Sequence, residues 1–392
     1  MSKQPLDLYD TATAFADKSN SQLKVKYRLF KLLNSPFLNT IGTGLTKFAL
    51  SIGLPIEGLI KSTVFEQFCG GETIEECDRA VDTLGGSKIG SILDYSVEGK
   101  SSEVDFDHVK DEIIRTIARG KDDPNIPFSV FKVTGIAPLG TLERMNGKKK
   151  LDAKSQAKCE RIHARVNDIC EYAYSVGQPV FIDAEDSWIQ DSIDRLAVEM
   201  MEKYNLEKPL VFNTLQMYRT DRLEYLKEAR RAASANGYIL AVKLVRGAYM
   251  EKERERAAEM GYPSPIHETK AATDADYDAA IDYCLKHIDD VAFVAGTHNE
   301  ESTQKLAVRM EELGIPNDHP HVFFSQLYGM GDNLSYALAK NDYRVSKYVP
   351  YGPVADAVPY LIRRAEENSS AAGQVSRELE MIEKELKRRK LD

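Results

Sequence analysis

Three cations interrupt stretches that are otherwise apolar: Lys132 in SVFKVTG, and Lys243 and Arg246 in LAVKLVRG. A charge within a buried strand costs several kcal/mol unless it is paired or meets a ligand. These side chains therefore either pair with a neighbour such as Asp183 in PVFIDAE, or form an anion site. Other polar residues fall in the same kind of place, at the ends of apolar runs: Asp94 and Glu98, Thr134, Glu185 and Asp186, Asn213 and Gln216, then Thr297, His298 and Asn299. Ser325, Gln326 and Tyr328, and Lys347, Tyr348 and Tyr351, complete the set. In LIRRAEEN, Arg363 and Glu367 are four apart, as are Arg364 and Asn368, so each pair shares a helical face. Adjacent arginines on a helix are often ordinary surface residues, but near Lys132 they would clamp a carboxylate bidentately. Metal chemistry, nucleophile-elbow hydrolysis and P-loop phosphoryl transfer have no counterpart motif: no histidines pair at i,i+4 on a helix, and neither G-x-S-x-G nor a Walker A loop occurs.

The elements that must carry these residues form a repeat. Eight short runs rich in β-branched and aromatic residues, at 91–99, 129–135, 179–185, 210–216, 240–247, 291–299, 321–329 and 344–352, alternate with segments of helical period. Their nearly continuous apolar character predicts parallel strands buried on both faces. Asp186 or Ser187 opens a helix through Tyr204, Thr220 or Asp221 opens one that stops at Asn236-Gly237, and Glu300 to Leu313 stops at Gly314. Eight strand–helix units over roughly 280 residues predict an α/β fold, a closed (β/α)8 TIM-like barrel, in which chemistry sits at the C-terminal ends of the strands. No G-x-G-x-x-G follows the first run, which removes the main reason to prefer a Rossmann sheet. The expected organisation is an N-terminal helical arm over 1–88, a catalytic barrel over 89–370, and an exposed C-terminal helix over 371–392, read from Glu-to-Lys/Arg pairs in SRELEMIEKELKRRK.

Composition limits the partners. With 43% hydrophobic and 29% charged residues, the 392-residue chain has the make-up of a globular protein. Its net charge of −9 offers no global field for a polyanion, so nucleic acid is not expected. Five scattered cysteines without C-x-x-C suit a reducing compartment and read as packing residues. The stretch Phe37 to Ile60 is amphipathic and too interrupted to span a bilayer. The start of the chain lacks the build of a signal or transit peptide, so a cytoplasmic location is expected, or a mitochondrial one if a leader has been removed.

Taken in order, IDAED (182–186), NTLQMY (213–218), KLVRGAY (243–249), KAATDADY (270–277), GTHN (296–299), QLYGMGD (326–332), YVPYGP (348–353) and LIRRAEEN (361–368) closely resemble the FAD-dependent proline dehydrogenases. The resemblance runs from FCGGETIEE (68–76) to Asn368. It implies a monofunctional oxidoreductase acting on the CH–NH group of L-proline, with FAD as cofactor. It also implies a quinone as electron acceptor, hence a peripheral contact on the inner face of a membrane, and is compatible with an oligomer. By the same resemblance Lys132, Arg363 and Arg364 hold the proline carboxylate, Glu367 lies near the substrate, Tyr348 packs on the proline ring, and Tyr249 sits over the site. Asp183 lies beside the flavin, Gln216 bonds the isoalloxazine edge, and Lys243 is close to N5 and the C4 carbonyl. Arg246, Gly247 and Ala248 line the pyrophosphate and ribityl region, with Thr273, Thr297, His298 and Asn299 along the rest of the cofactor. Family members that act on hydroxyproline lack the tyrosine that this chain keeps at 348, which favours L-proline; some bacterial members carry arginine in place of Lys243. Two rival readings of the residues are a Schiff-base aldolase with Lys243 as nucleophile, activated by Arg246, and a non-catalytic barrel that binds a ligand or partner.

Overall fold

The structure, a computed structural model, describes residues 6–34, 57–97, 101–147, 152–370 and 374–391. Glu98 and most of the stretch Phe37 to Ile60 lie outside them. Among the described residues, eight parallel strands follow one another in chain order and close into a barrel: β1 (Gly90–Tyr95), β2 (Phe128–Lys132), β3 (Val180–Asp183), β4 (Val211–Gln216), β5 (Leu240–Val245), β6 (Val291–Gly296), β7 (Val322–Leu327) and β8 (Val345–Tyr351). The fold is the (β/α)8 barrel that the eight runs predict. Every residue of β3, β4 and β8 is buried, as parallel strands covered on both faces require.

The strands are shorter than the runs at their C-terminal ends. Thr134 falls in the 3-10 turn Val133–Gly135, and Glu185, Gly247, Thr297 and Tyr328 lie beyond their strands. A polar side chain buried from both faces would lose water without a partner; Asp183, Gln216 and Lys243 still lie within paired strands, but the outermost polar residues lie past the end of pairing. Loops with free choice of direction then carry them. The helices start and stop close to the expected punctuation: Ser187–Tyr204, Arg222–Asn236 closed by Gly237 at φ 77°, and Glu300–Glu312, whose first turn is capped by the Asn299 side chain accepting from Ser302 N at 2.8 Å.

By contact, the chain divides into two compact units, Gly99–Ser325 and the two chain ends, Met1–Glu98 with Gln326–Asp392. In the first, Phe128, Phe181, Phe212 and Phe323 pack ring to ring toward the N-terminal ends of β2, β3, β4 and β7. Centroids are 4.5 Å apart for Phe128 and Phe181, 4.7 Å for Phe128 and Phe323 and 5.4 Å for Phe181 and Phe212. Strand alternation places Asp183 and Thr214, two residues beyond Phe181 and Phe212, on the same inward face. The site is thus built above an aromatic floor.

In the second unit the C-terminal helix, Gln374–Arg388, corrects the expectation of an exposed terminal helix. Met381, Ile382 and Leu386 are buried in an apolar cluster with Phe15, Leu23 and Phe30 of the N-terminal arm. Glu378 and Glu385 are buried on the same face. Glu385 is answered by Arg388 and Arg389 at 2.7 and 2.6 Å. Glu378 accepts from Gly331 N and lies 3.8 Å from Lys26, which itself reaches Asp332 at 2.7 Å. Lys347 of β8 also meets Asp332, at 2.9 Å, and donates to the Met330 carbonyl. Burial pushes the Asp332 carboxyl up, but Lys26 and Lys347 outweigh it and hold the group well below the usual carboxylate range. Asp332→Asn removes the shared counter-ion of two buried ammonium groups and is expected to cost about 3–5 kcal/mol, read as a lower denaturant midpoint. A midpoint equal to the parent's would contradict an ionic core at this position.

Candidate active site

The polar residues of the first unit form one connected set. Lys243, fifth to last in the run LAVKLVRG, extends from β5 to the Asp183 carboxylate on β3, and Thr214 of β4 donates to the same oxygen at 3.2 Å. Both charged groups are buried, and the Lys243 ammonium also lies 4.9 Å from the centre of the Phe181 ring. Of the two readings open for this cation, pairing with Asp183 is the one realised.

Arg246, just past β5, is likewise engaged. Its guanidinium donates to Asp274 at 2.6 Å, to Thr297 Oγ1 at 2.6 Å and to Ser302 Oγ at 2.9 Å, and stacks 4.3 Å from the Tyr277 ring centre. The Thr297 hydroxyl also accepts from Asn299 N at 3.0 Å, so the arginine and the start of the Glu300–Glu312 helix share one hydroxyl. Asp274 lies in KAATDADY, but its partnership with Arg246 crosses 28 positions and left no mark in local spacing.

Gly247 follows with φ 138°, and a Cβ there would lie 2.5 Å from atoms of the Tyr218 ring, so only glycine fits. Its neighbour Ala248 donates its backbone N–H to Gln216 Oε1 at 3.1 Å, while Gln216 Nε2 donates to the Glu185 carbonyl at 2.7 Å. Tyr249 stands at the N-terminus of the helix Met250–Met260. That helix is tied to the loop after β3, since Lys252 pairs with Asp186 at 2.7 Å and buried Glu253 accepts from both the backbone N–H and the hydroxyl of Ser187 at 2.6 Å. Thr273 sits on the helix Lys270–Lys286, where its hydroxyl faces the carbonyl of Thr269, the residue that caps that helix, at 3.5 Å.

Lys132, the last residue of β2, is in register with Asp183. Its charge acts on the carboxyl of Glu185, which the sequence presents only as one acid among several. Glu185 is 5% exposed and accepts from Thr134 N at 3.0 Å and from the Thr134 hydroxyl. Burial pushes its carboxyl up to about 7, against the pull of the two Thr134 donors and the Lys132 charge.

His298 lies between Thr297 and Asn299 in the same unit, whereas Tyr348, Arg363, Arg364 and Glu367 belong to the other compact unit. Tyr348 is buried in β8, in register with Ile92, and its carbonyl accepts from Tyr328 N at 2.9 Å. Arg363 and Arg364 lie on the helix Val354–Ser370; Arg364 is buried and its guanidinium carbon is 5.1 Å from the Tyr360 ring centre. The side chain of Glu367 is outside the described part of the structure.

A (β/α)8 barrel with charged and amide groups concentrated at the C-terminal ends of its strands is built as an enzyme. The family model described as "Proline dehydrogenase" matches residues 77–377. The carbapenem antibiotics biosynthesis protein CarD of Pectobacterium carotovorum subsp. carotovorum is 36% identical over 333 residues, covering 85% of this chain and 86% of that protein. Mitochondrial proline dehydrogenase 1 of Dictyostelium discoideum is 31% identical over 430 residues, covering 98% and 75%. The human mitochondrial proline dehydrogenase 1 is 40% identical over 271 residues, covering 68% and 45%. Among solved structures, proline utilization A from Bdellovibrio bacteriovorus superposes with a TM-score of 0.72 at 20% identity over 95% of this chain, which spans 40% of that longer chain and shares its fold. The chain belongs to the proline dehydrogenase family, oxidoreductases of the first step of proline catabolism.

The raised Glu185 carboxyl gives stability a defined pH dependence. Between the ordinary carboxylate value of 4.5 and about 7 the folded protein holds a proton that the unfolded chain has released. Stability therefore falls as pH rises through this window, by about 1.4 kcal/mol per unit at most, and this contribution is constant above it. Glu185→Gln is expected to flatten that part of the profile in denaturant titrations at pH 5, 6 and 7. An identical slope in parent and variant would refute the assignment.

Proposed function

We propose that the protein oxidises L-proline to Δ1-pyrroline-5-carboxylate on bound FAD and passes the electrons to a quinone. The reaction breaks the C5–H bond as hydride and an amine N–H bond as a proton, leaving a C5=N double bond. When bound, FAD supplies the two-electron acceptor for that hydride. The residues of the first unit fit such a group. The Gln216 amide has one N–H committed to Glu185 and its oxygen to Ala248, which leaves one N–H and one lone pair, the complement of a flavin pyrimidine edge. Three of the five N–H groups of Arg246 hold Asp274, Thr297 and Ser302, which leaves two for a phosphate oxygen on a guanidinium already fixed in place.

The observation that carries the reading is the buried Asp183 and Lys243 pair above an aromatic floor, beside that half-committed amide. A barrel that only binds a partner needs no such polar interior. In the proposal, Lys132, Arg363 and Arg364 hold the proline carboxylate, Tyr348 covers the apolar ring, and Glu367 lies near the substrate. Asp183 and Lys243 set the field at the reacting end, Gly247 and Ala248 let backbone approach the cofactor, and Thr273, Thr297, His298 and Asn299 follow it outward. Tyr249 closes over the site. A quinone acceptor brings the protein to a membrane surface; among the described residues no helix is long and apolar enough to cross one.

The visible spectrum of the purified protein tests the reading. A flavin spectrum that bleaches under anaerobic L-proline is expected, and a colourless protein, or a flavin reduced by hydroxyproline but not by proline, would overturn it. Arg363→Met loses a charge-assisted bond to the carboxylate, about 1.5–3 kcal/mol, and is expected to raise KM for proline by about 10- to 100-fold with the bound-flavin spectrum unchanged. Loss of flavin in that variant would instead assign the arginine to the cofactor.

A further inference from the structure

We propose that Glu185 is a positioning residue for Lys132, acting through the turn that follows that lysine. The inference rests on the proposed reading of Lys132 as a carboxylate-binding group. The two backbone ladders flanking β3 stop short of this part of the barrel, whereas that of β4 with β5 continues to Gln216 with Val245. Pairing of β2 with β3 ends at Lys132 with Asp183, and pairing of β3 with β4 ends at Ile182 with Asn213. Gln216 and Thr134 both lie past the point where those ladders stop, and Glu185 bridges the gap with its two ends.

Its side chain grips the β2 turn: one carboxylate oxygen accepts from Thr134 N at 3.0 Å and the other from the Thr134 hydroxyl, two residues after Lys132. Its main chain grips the β4 end: the Glu185 carbonyl accepts from Gln216 Nε2 at 2.7 Å, and Gln216 Oε1 accepts from Ala248 N at 3.1 Å, so the amide has one orientation that satisfies both. Glu185 N in turn donates to Gln190 Oε1 at 2.8 Å, and Gln190 Nε2 donates to Asp194 at 2.9 Å, which anchors the whole peptide to the helix Ser187–Tyr204. A run of hydrogen bonds thus crosses the ends of β2, β3, β4 and β5. Glu185 is the residue in it common to the Lys132 turn and the Gln216 amide. Glutamate suits the post because its two carboxyl oxygens meet both an N–H and an O–H of Thr134. A side-chain change should therefore loosen Lys132 while the backbone carbonyl still holds Gln216.

The test is a set of variants of the flavin-loaded enzyme read by KM and kcat for L-proline and by the visible spectrum. Glu185→Gln and Thr134→Val are each expected to raise KM about tenfold with kcat within about threefold and the flavin spectrum unchanged, and Thr134→Ser, which restores the hydroxyl, is expected to return KM to near the parent value. In a Lys132→Met background, Glu185→Gln is expected to add nothing further to KM, because the residue acts through that lysine. An unchanged KM in Glu185→Gln, the same proportional rise in both backgrounds, or loss of flavin would each overturn the proposal. If Glu185→Gln does not fold, Thr134→Val against Thr134→Ser decides it alone. A Lys132→Met variant whose own KM is unaltered would show that the underlying reading of Lys132 has failed, separately from the role of Glu185.

Discussion

A lysine ammonium and an aspartate carboxylate buried side by side are tolerable only as a pair. Separating Lys243 from Asp183 would leave either one desolvated in the barrel interior, at a cost of several kcal/mol. This constraint propagates. Asp183 must end β3 one layer above Phe181, Lys243 must leave β5 at the same height, and Thr214 of β4 must turn its hydroxyl to the shared oxygen. Polar groups farther out then have a fixed base from which to hang: Gln216 two residues beyond Thr214, Glu185 two beyond Asp183, Arg246 three beyond Lys243.

The same economy explains the arrangement of charges at large. A chain of net charge −9 binds its internal cations to its own carboxylates, Lys243 to Asp183, Arg246 to Asp274, Lys26 and Lys347 to Asp332. What distinguishes the strand-end set is incomplete commitment. Among the described residues, Gln216 and Arg246 are held by some of their hydrogen-bonding groups and keep others spare, as the proposed cofactor site requires.

The barrel was legible because burial on both faces forces apolar continuity over a strand's length, and eight such runs leave few topologies. Much of the strand-end set was legible too, since a charge inside an apolar run is conspicuous wherever it pairs. The pairings themselves were not. Nothing local ties Lys243 to a carboxylate 60 positions away, or marks Glu185 apart from Asp183 and Asp186 beside it. The terminal helix misled for a related reason. Glu378, Met381, Ile382, Glu385 and Leu386 recur at i, i+3, i+4, i+7 and i+8, the spacing of a buried stripe, but two of the five are glutamates. Gly331 and Lys26, and the adjacent Arg388 and Arg389, are among the groups that offset the burial of these glutamates.

The division of the chain has a consequence for how the molecule comes into being. Gly99–Ser325 is one uninterrupted length, whereas the other compact unit combines Met1–Glu98 with everything from Gln326 onward. During synthesis the middle can begin to pack as it leaves the ribosome, while the amino-terminal helices wait for partners made last: Lys26 for Asp332 and Glu378, Phe15 and Phe30 for Ile382 and Leu386. A segment translated before the middle is thus among the last to be secured. Through that interval its apolar face stands open to chaperones and to other nascent chains.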